Sequence, residues 1–148
     1  MIGSLPKVYN ETHKFIAVVN KDLEIGKALN AVAHACAGLV AMSPEEAKRE
    51  MSFVDFVDKD GSEHRSISGL SLIVLKGKNS ELKKLRKALA ENNVLYTDFT
   101  ETMTGETYKE QLDKTLLTSE DDMKYFCVAA FGEKKEIDPL TRKLSLYH

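Results

Sequence analysis

Residues 22–42, DLEIGKALNAVAHACAGLVAM, follow the short apolar run 14–20, KFIAVVN, and these two stretches decide the fold. The run 14–20 is typical of a buried strand. From about Ile25 the residues favour a helix, with Asp22 and the Gly26 region forming the turn. A helical projection predicts one wide apolar face, which we expect to be buried, made of Leu29, Val32, Ala33, Cys36, Leu39 and Val40. The pattern predicts a strand–turn–helix unit at the centre of the molecule.

The opposite side of this helix carries the best candidate for chemistry. Its spacing aligns Lys27, Ala31, His34 and Gly38 on one stripe. Small residues allow a ligand or another backbone to come close, while Lys27 and His34 supply charge and proton transfer. Two plainer interpretations stay open: His34 as a packing residue on an alanine-rich helix, and Lys27 as a solvent-facing lysine.

Composition indicates one globular domain spanning residues 1–148. The 148 residues are 43% apolar and 30% charged, which allows a substantial core. A net charge of −2 gives no overall nucleic-acid signature. No apolar run is judged long enough to span a membrane and no signal peptide is recognisable, so we expect a soluble cytoplasmic protein without membrane partners. Residues 1–12 are expected to form a flexible arm.

Metal and cofactor sites are not expected. Cys36 and Cys127 lie far apart in apolar surroundings, which is typical of reduced core cysteines. The four histidines show no metal-ligand spacing. The alternating residues at 58, 60 and 62 do not make a calcium loop, because the glycine and the closing glutamate are not in the required positions.

The rest of the chain alternates strand-like and helix-like segments. Ser43 and Pro44 are typical of a helix start, with Ser43 as the N-cap. Asp60-Gly61 predicts a hairpin between two short strands. The strands are predicted at 53–57, 64–68, 70–75, 94–99 and 125–132, and the helices at 79–92, 106–117 and 136–144, the last with Asp138 as its cap. This alternation indicates α/β layers around a mostly parallel or mixed sheet.

The helix at 79–92 predicts a buried leucine stripe, Leu82, Leu85 and Leu89, and a basic outer face. That face carries Lys83, Lys84, Arg86 and Lys87, and Lys76 and Lys78 precede it. A solvated face is the simpler interpretation. The alternative is a patch that binds a phosphate backbone, since clustered cations release counterions on binding RNA.

A family resemblance emerges from several of these motifs. A strand ending in Val-Val, then Asp22-Leu23, Gly26-Lys27 and a histidine seven residues after Lys27 is similar to the start of the type-two peptidyl-tRNA hydrolases. Asp98 and Thr102 match a middle segment of that family, and Ile137-Asp138, Thr141 and Leu144 match its last one. The run 29–33 resembles still more an uncharacterised family of unknown function that shares this hydrolase fold.

The resemblance implies a fold and a site. The fold is a three-layer sandwich, with a mixed, mostly parallel four-stranded sheet, helices on both faces and an inserted hairpin at 53–68. Lys27 would stabilise an oxyanion or hold a phosphate, His34 would act as general base, Asp98 would orient that base and Thr102 would hold a substrate oxygen. Asn30, Asp22 and Thr100 are expected as ligand contacts. The departures from the family pattern are Ala31 for glutamine, Phe99-Thr100 for Ala-Gly and Met103 for glutamine.

Two functions of different classes follow from the resemblance. One is a hydrolase acting on peptidyl-tRNA or a related small acyl ester. The other is a non-catalytic module that keeps the fold and binds a ligand, RNA or protein. The resemblance also implies a homodimer, and Phe99 and Met103 bring bulk to the place where the hydrolases keep small or hydrogen-bonding groups.

Overall fold

The computed structural model describes residues 12–105 and 107–148. The arm expected at residues 1–12 therefore lies outside the described residues, apart from Thr12. The strands are β1 (His13–Asn20), β2 (Phe53–Val57), β3 (Glu63–Ser68), β4 (Leu72–Gly77), β5 (Leu95–Thr100), β6 (Tyr125–Glu133) and β7 (Ser145–Leu146). The helices are α1 (Ile25–Met42), α2 (Glu45–Glu50), α3 (Asn79–Glu91), α4 (Tyr108–Leu116) and α5 (Lys134–Thr141). Short 3₁₀ turns occupy Glu101–Met103 and Glu120–Asp122.

A five-stranded mixed sheet forms the centre, in the order β5-β6-β1-β4-β7. β1 and β4 pair in parallel, whereas β6 pairs antiparallel with both β1 and β5, and β7 pairs antiparallel with β4. The expectation of a mostly parallel, four-stranded sheet was therefore wrong. The physical reason is that a fully buried apolar run such as β6 has the same sequence pattern in either direction.

α1 covers one face of the sheet, and the predicted apolar face is confirmed in part: Leu39 is fully buried and Val32, Cys36 and Val40 pack against the core, whereas Leu29 and Ala33 are exposed. Its buried residues are Ala28, Ala31, Ala35 and Leu39, whereas Leu29 is 63% exposed. Large sheet residues such as Phe15, Phe99 and Phe131 fill the space under the helix. Small alanines therefore share the buried side of α1 with Leu39, which shifts that side away from Leu29.

α1 also corrects the expectation about membrane-spanning length. Within the described residues it is long and apolar enough to cross a membrane by length and composition, and 22% of that stretch is buried. A core helix passes the same test. α1 packs on the sheet through its alanine stripe, which is the behaviour of a layer helix.

α3 and α5 cover the opposite face. Leu82, Leu85 and Leu89 are the buried residues of α3, which confirms the predicted stripe. α5 begins at Lys134 and contains Pro139, so Asp138 is not its cap; the Asp138 carboxylate instead pairs with the Lys14 ammonium. The acidic side chain thus joins α5 to β1.

The hairpin expected at 53–68 is present as a separate two-stranded sheet, β2–β3. The Asp58 carboxylate organises its turn by accepting hydrogen bonds from the Asp60 and Ser62 amides, and Gly61 has a φ of +83°. Hydrogen bonds from the His64 ring and the Ser62 amide lower the pKa of Asp58.

The residues at the start of α2 behave differently from the prediction. Pro44 is the N-cap of α2, and Ser43 closes α1 by donating a hydrogen bond from its hydroxyl to the Leu39 carbonyl at 2.6 Å. Ser43 was wrongly expected to start the next helix. A serine can bond back to a carbonyl four residues earlier as well as forward to an amide, so its residue type alone does not settle which helix it serves.

Candidate functional site

An open depression of about 390 Å³ lies where the start of α1 meets the ends of β5 and β6. Phe99 and Phe126 form its floor, with ring centroids 6.4 Å apart. Its walls combine both charges and neutral polar groups, from Glu24, Gly26, Lys27, Asn30, Glu101 and Thr104. β1 and β5 run in the same direction, so the depression lies outside the carboxyl ends of two parallel-running strands, where α/β proteins commonly bind ligands.

The electrostatics of this depression favour an anionic group on the α1 side. Glu24 is the N-cap of α1 but makes no side-chain cap, so the first amides of the helix keep free N–H groups. The positive end of the helix dipole and the Lys27 ammonium add to this field. Within the described residues, Lys27 and Asn30 make no side-chain hydrogen bond or ion pair. These groups are thus available to a ligand.

The opposite wall is acidic and weakly paired. The nearest cation to the Glu101 carboxylate is Lys124, at 3.8 Å, and both side chains are more than half exposed. Thr104 donates from its hydroxyl to the Glu101 carbonyl at 2.5 Å. The depression therefore offers the Lys27 ammonium, the Asn30 amide and the Glu24 carboxylate at the start of α1, and the Glu101 carboxylate after β5.

His34 is exposed on α1 and packs flat against an aromatic ring. Its imidazole is stacked on Phe99 with the ring centroids 5.0 Å apart and the planes 5° from parallel. The same Phe99 ring forms part of the floor of the depression. The phenylalanine thus stands between His34 and the cavity.

Asp98 lies on the other face of the sheet from His34. Neighbouring strand residues point to opposite faces, and Phe99 faces α1. The Asp98 carboxylate instead accepts a hydrogen bond from Arg86 Nε on α3 at 2.7 Å. The structure therefore does not bring Asp98 to the expected Lys27–His34 pair.

Arg86 is the centre of an ion network on the α3 face. It also contacts Glu120 at 2.8 Å and lies over the Tyr96 ring. Burial works against the charge of Arg86, but the hydrogen bond and charge of Asp98 outweigh it and hold the Arg86 pKa above its ordinary value. Lys83 pairs with Asp121 at 2.9 Å, and this hydrogen bond raises the Lys83 pKa. Two of the four cations predicted on this helix are therefore engaged in structural pairs.

The remaining expected site residues lie elsewhere. Thr102 exchanges hydrogen bonds with Thr100 at 2.7 Å and with Thr115 of α4 at 2.8 Å, forming a threonine chain between β5 and α4. Thr100 is 1% exposed. Asp22 is exposed in the turn before α1, where its amide donates to Asn20 Oδ1. Of the seven expected site residues, only Lys27 and Asn30 line the depression.

The cysteines and acidic groups give no metal site in the described part of the chain. No cluster of three or more histidine, cysteine, aspartate or glutamate residues there is arranged to hold an ion. Burial raises the pKa of the Cys127 thiol, and burial also raises that of Cys36. Both thiols are free, and their protonated form is favoured.

Comparison with known proteins assigns the family. The family model described as "Protein of unknown function (DUF2000)" matches residues 13–148. The chain belongs to the DUF2000 family. A solved structure of a protein of unknown function from Agrobacterium tumefaciens strain C58 is similar with a TM-score of 0.77 and 21% identity, covering 93% of this chain and 98% of that one. No curated protein matches the chain.

For this DUF2000 chain, sequence reasoning missed the acidic wall and half of the floor. Glu24, Glu101, Thr104 and Phe126 were not selected, because none belongs to a motif on one helix face. One signal was present: Glu101 directly follows β5, and the carboxyl end of such a strand is a common place for ligand contacts.

Proposed function

We propose that this DUF2000 chain is a non-catalytic ligand-binding module that keeps a type-two peptidyl-tRNA hydrolase-like, three-layer fold. Its ligand is a small molecule that carries both an anionic group and hydrogen-bond donors. The observation that carries the proposal is the depression itself, where unpaired Lys27 and Asn30 face Glu101 across an aromatic floor. We propose that the chain binds this ligand in the cytoplasm.

The anionic group of the ligand binds at the start of α1. Free helix N–H groups donate to a carboxylate or phosphate, and the helix dipole favours its charge. Lys27 adds a full positive charge, and Asn30, one turn further along the helix, adds an amide donor. These groups share one side of the depression, so they act on the same part of the ligand.

The rest of the ligand lies over the floor and reaches the acidic wall. Phe99 and Phe126 are 9% and 8% exposed, so they present a ring surface without being free to rotate away. Aromatic faces accept an apolar or planar group. The Glu101 carboxylate accepts hydrogen bonds from an ammonium or hydroxyl group. An amino acid, its N-acylated form or a nucleotide has this combination of groups.

The arrangement of the expected catalytic residues supports binding over turnover. A general base is most effective when a third group orients it, as in catalytic triads. Asp98 is held by Arg86 on the far face, and Phe99 stands between His34 and the cavity. The bulky Phe99 side chain in this region therefore favours binding over hydrolysis.

The test is ligand titration followed by amide NMR. Free amino acids, N-acetylated amino acids and adenosine monophosphate are titrated, and the Gly26, Asn30 and Thr104 amides are followed. Lys27→Met should weaken binding by about tenfold or more, since one lost charge-assisted contact is worth 1.5–3 kcal/mol. Lys84→Met, with the same charge change on α3, should leave binding unchanged. Absence of shifts at these amides, or equal losses in both variants, would contradict the proposal.

A second comparison isolates the acidic wall. If Glu101 binds an ammonium group, Glu101→Gln should weaken binding of a free amino acid but not of its N-acetylated form. The N-acetyl group removes the positive charge and keeps the size of the ligand similar. Equal losses for both ligands would place the ammonium group elsewhere.

A hydrolase acting on peptidyl-tRNA or a related acyl ester is the second candidate. It is favoured by the exposure of both Lys27 and His34 on the same stripe of α1. The assay is release of free tRNA from an N-acetylated aminoacyl-tRNA by wild type and by His34→Ala. The binding proposal expects no release in either; release by wild type that His34→Ala abolishes would establish the hydrolase instead. Binding of intact RNA without release would extend the ligand class to RNA ends.

A further inference from the structure

We infer that two copies of this chain pair through the free edge of β5, antiparallel, about a two-fold axis at Thr97. β5 is the outermost strand on one side of the central sheet. In the described residues, nothing hydrogen-bonds to the backbone on the outer side of β5. Pairing would join two five-stranded sheets into one continuous sheet.

The β5 edge lacks the features that normally protect an outer strand. Its six residues, LYTDFT, contain no proline and no lysine. Its one charge, Asp98, is already neutralised by Arg86. Natural sheets usually shorten, charge or cover such an edge, because unpaired backbone groups bind other strands. On the opposite edge, β7 has two residues and so offers little to pair with.

The sequence of β5 is complementary to itself when the axis lies at Thr97. A two-fold axis perpendicular to the sheet leaves each side chain on the same face of the sheet in both copies. Because directly opposite residues of an antiparallel pair point to the same face, the axis must pass between the two copies of one residue. With Thr97 there, Leu95 pairs with Phe99 of the second copy, and Tyr96 pairs with Asp98. Apolar side chains then meet on the α1 face, and a phenol meets a carboxylate on the α3 face. Placing the axis at Asp98 would instead oppose two like charges.

The surfaces beside β5 complement each other in the same arrangement. An apolar groove of about 540 Å³ runs along the edge of β5 as far as Asp98, and Met42, Ala90 and Asn93 line its other end. Beyond the other end of β5 lies α4, which has no buried residue and packs chiefly on the turn Glu101–Met103. Its side chains at one-turn spacing, Tyr108, Leu112 and Leu116, are 75%, 51% and 85% exposed.

The two-fold axis brings these two unpartnered surfaces together. It places the end of one β5 beside the start of the other, so residue 101 of one copy lies near residue 93 of the second. The partner's β5 then lies along most of the groove, and α4 of each copy reaches the Asn93 end of the other copy's groove, twice in one interface. Such reciprocal contacts are the property of a closed two-fold dimer. A second copy therefore covers both the apolar face of α4 and the apolar groove beside β5.

The test combines oligomeric state with a cross-link at the axis. Sedimentation of the full chain should show a dimer, and Leu116→Asp should raise its dissociation constant by about tenfold or more. The matched control is Leu146→Asp, which introduces the same charge at the 59% exposed leucine of the opposite edge and should leave the dimer intact. A monomer at all attainable concentrations, or equal effects of the two variants, would overturn the proposal.

The register is tested separately by oxidation. Thr97→Cys should form a disulfide between copies, because directly opposite residues of an antiparallel pair have Cα atoms about 4.5–5.5 Å apart, within the range that a disulfide spans. Tyr96→Cys is the control, since two residues of offset separate its Cα atoms by more than the roughly 7 Å limit. Oxidised wild type controls for Cys36 and Cys127. A dimer that Tyr96→Cys cross-links as readily as Thr97→Cys would overturn the register.

Discussion

The two faces of the central sheet are built in opposite ways. On the α3 face a leucine stripe packs inward and two of the outer cations are paired, with Lys83 on Asp121 and Arg86 joining Asp98 to Glu120. On the α1 face small alanines pack inward against aromatic rings. The polar groups of α1, Lys27, Asn30 and His34, have no side-chain hydrogen bond or ion pair in the described chain. Within the described residues, the α3 face thus pairs Lys83 and Arg86 internally, whereas the polar groups of α1 have no such partner.

This difference also explains the position of the depression. Because α1 contributes little volume, the sheet supplies large rings, and two of them remain at the rim as a floor. On the α3 face the leucines fill the space themselves. We therefore expect substitutions on α3 to change stability and substitutions on the outer side of α1 to change binding.

The largest expected effect tests this division in the core. Leu89→Ala on α3 should lower the free energy of unfolding by about 3 kcal/mol, because the 0% exposed side chain leaves a cavity. Leu29→Ala on α1 should change it by less than about 0.5 kcal/mol, because that leucine lies mostly in solvent. Urea denaturation of both variants measures the difference. Similar losses would mean that α1 buries its outer side, for instance against a partner.

A smaller effect is expected from the charges of the two faces. Arg86→Met should lower the free energy of unfolding by about 1–2 kcal/mol, since it leaves the 15% exposed Asp98 carboxylate without its partner. Lys27→Met should leave it nearly unchanged. Thermal denaturation at neutral pH makes the comparison, and Asp98→Asn with Arg86→Met completes a double-mutant cycle. Additive losses in that cycle would mean that the pair is not coupled.

The smallest effect concerns the buried thiol on the α1 face. Burial raises the pKa of Cys127 in the folded state, so above its ordinary pKa the unfolded chain loses a proton that the folded chain keeps. Stability should therefore fall as pH rises, by about 1 kcal/mol between pH 8 and 9.5 from this group. Cys127→Ala should have a correspondingly shallower pH dependence in urea denaturation. Equal pH dependence of stability in the two proteins would indicate that folding does not raise the pKa of the Cys127 thiol.

Much of the fold was predictable from local pattern. The apolar runs of β1 and β6 predicted buried strands, Asp60-Gly61 predicted the hairpin, and the spacing of Leu82, Leu85 and Leu89 predicted the inner side of α3. These are short-range properties, because they depend on the spacing of residue types along one element. The position of Lys27 and Asn30 on one side of α1 follows from the same kind of information.

The tertiary structure decided what depends on neighbouring elements. α1 is apolar almost all round, so its own pattern could not show that Ala31 faces the sheet while Leu29 faces out; the aromatic rings of the sheet determine that. Strand alternation required Asp98 and Phe99 to point in opposite directions, but only the packing of α1 and α3 determined that Phe99 meets His34 and Asp98 meets Arg86. Sequence determined which segments could form the site, and packing between layers determined which side chains share it.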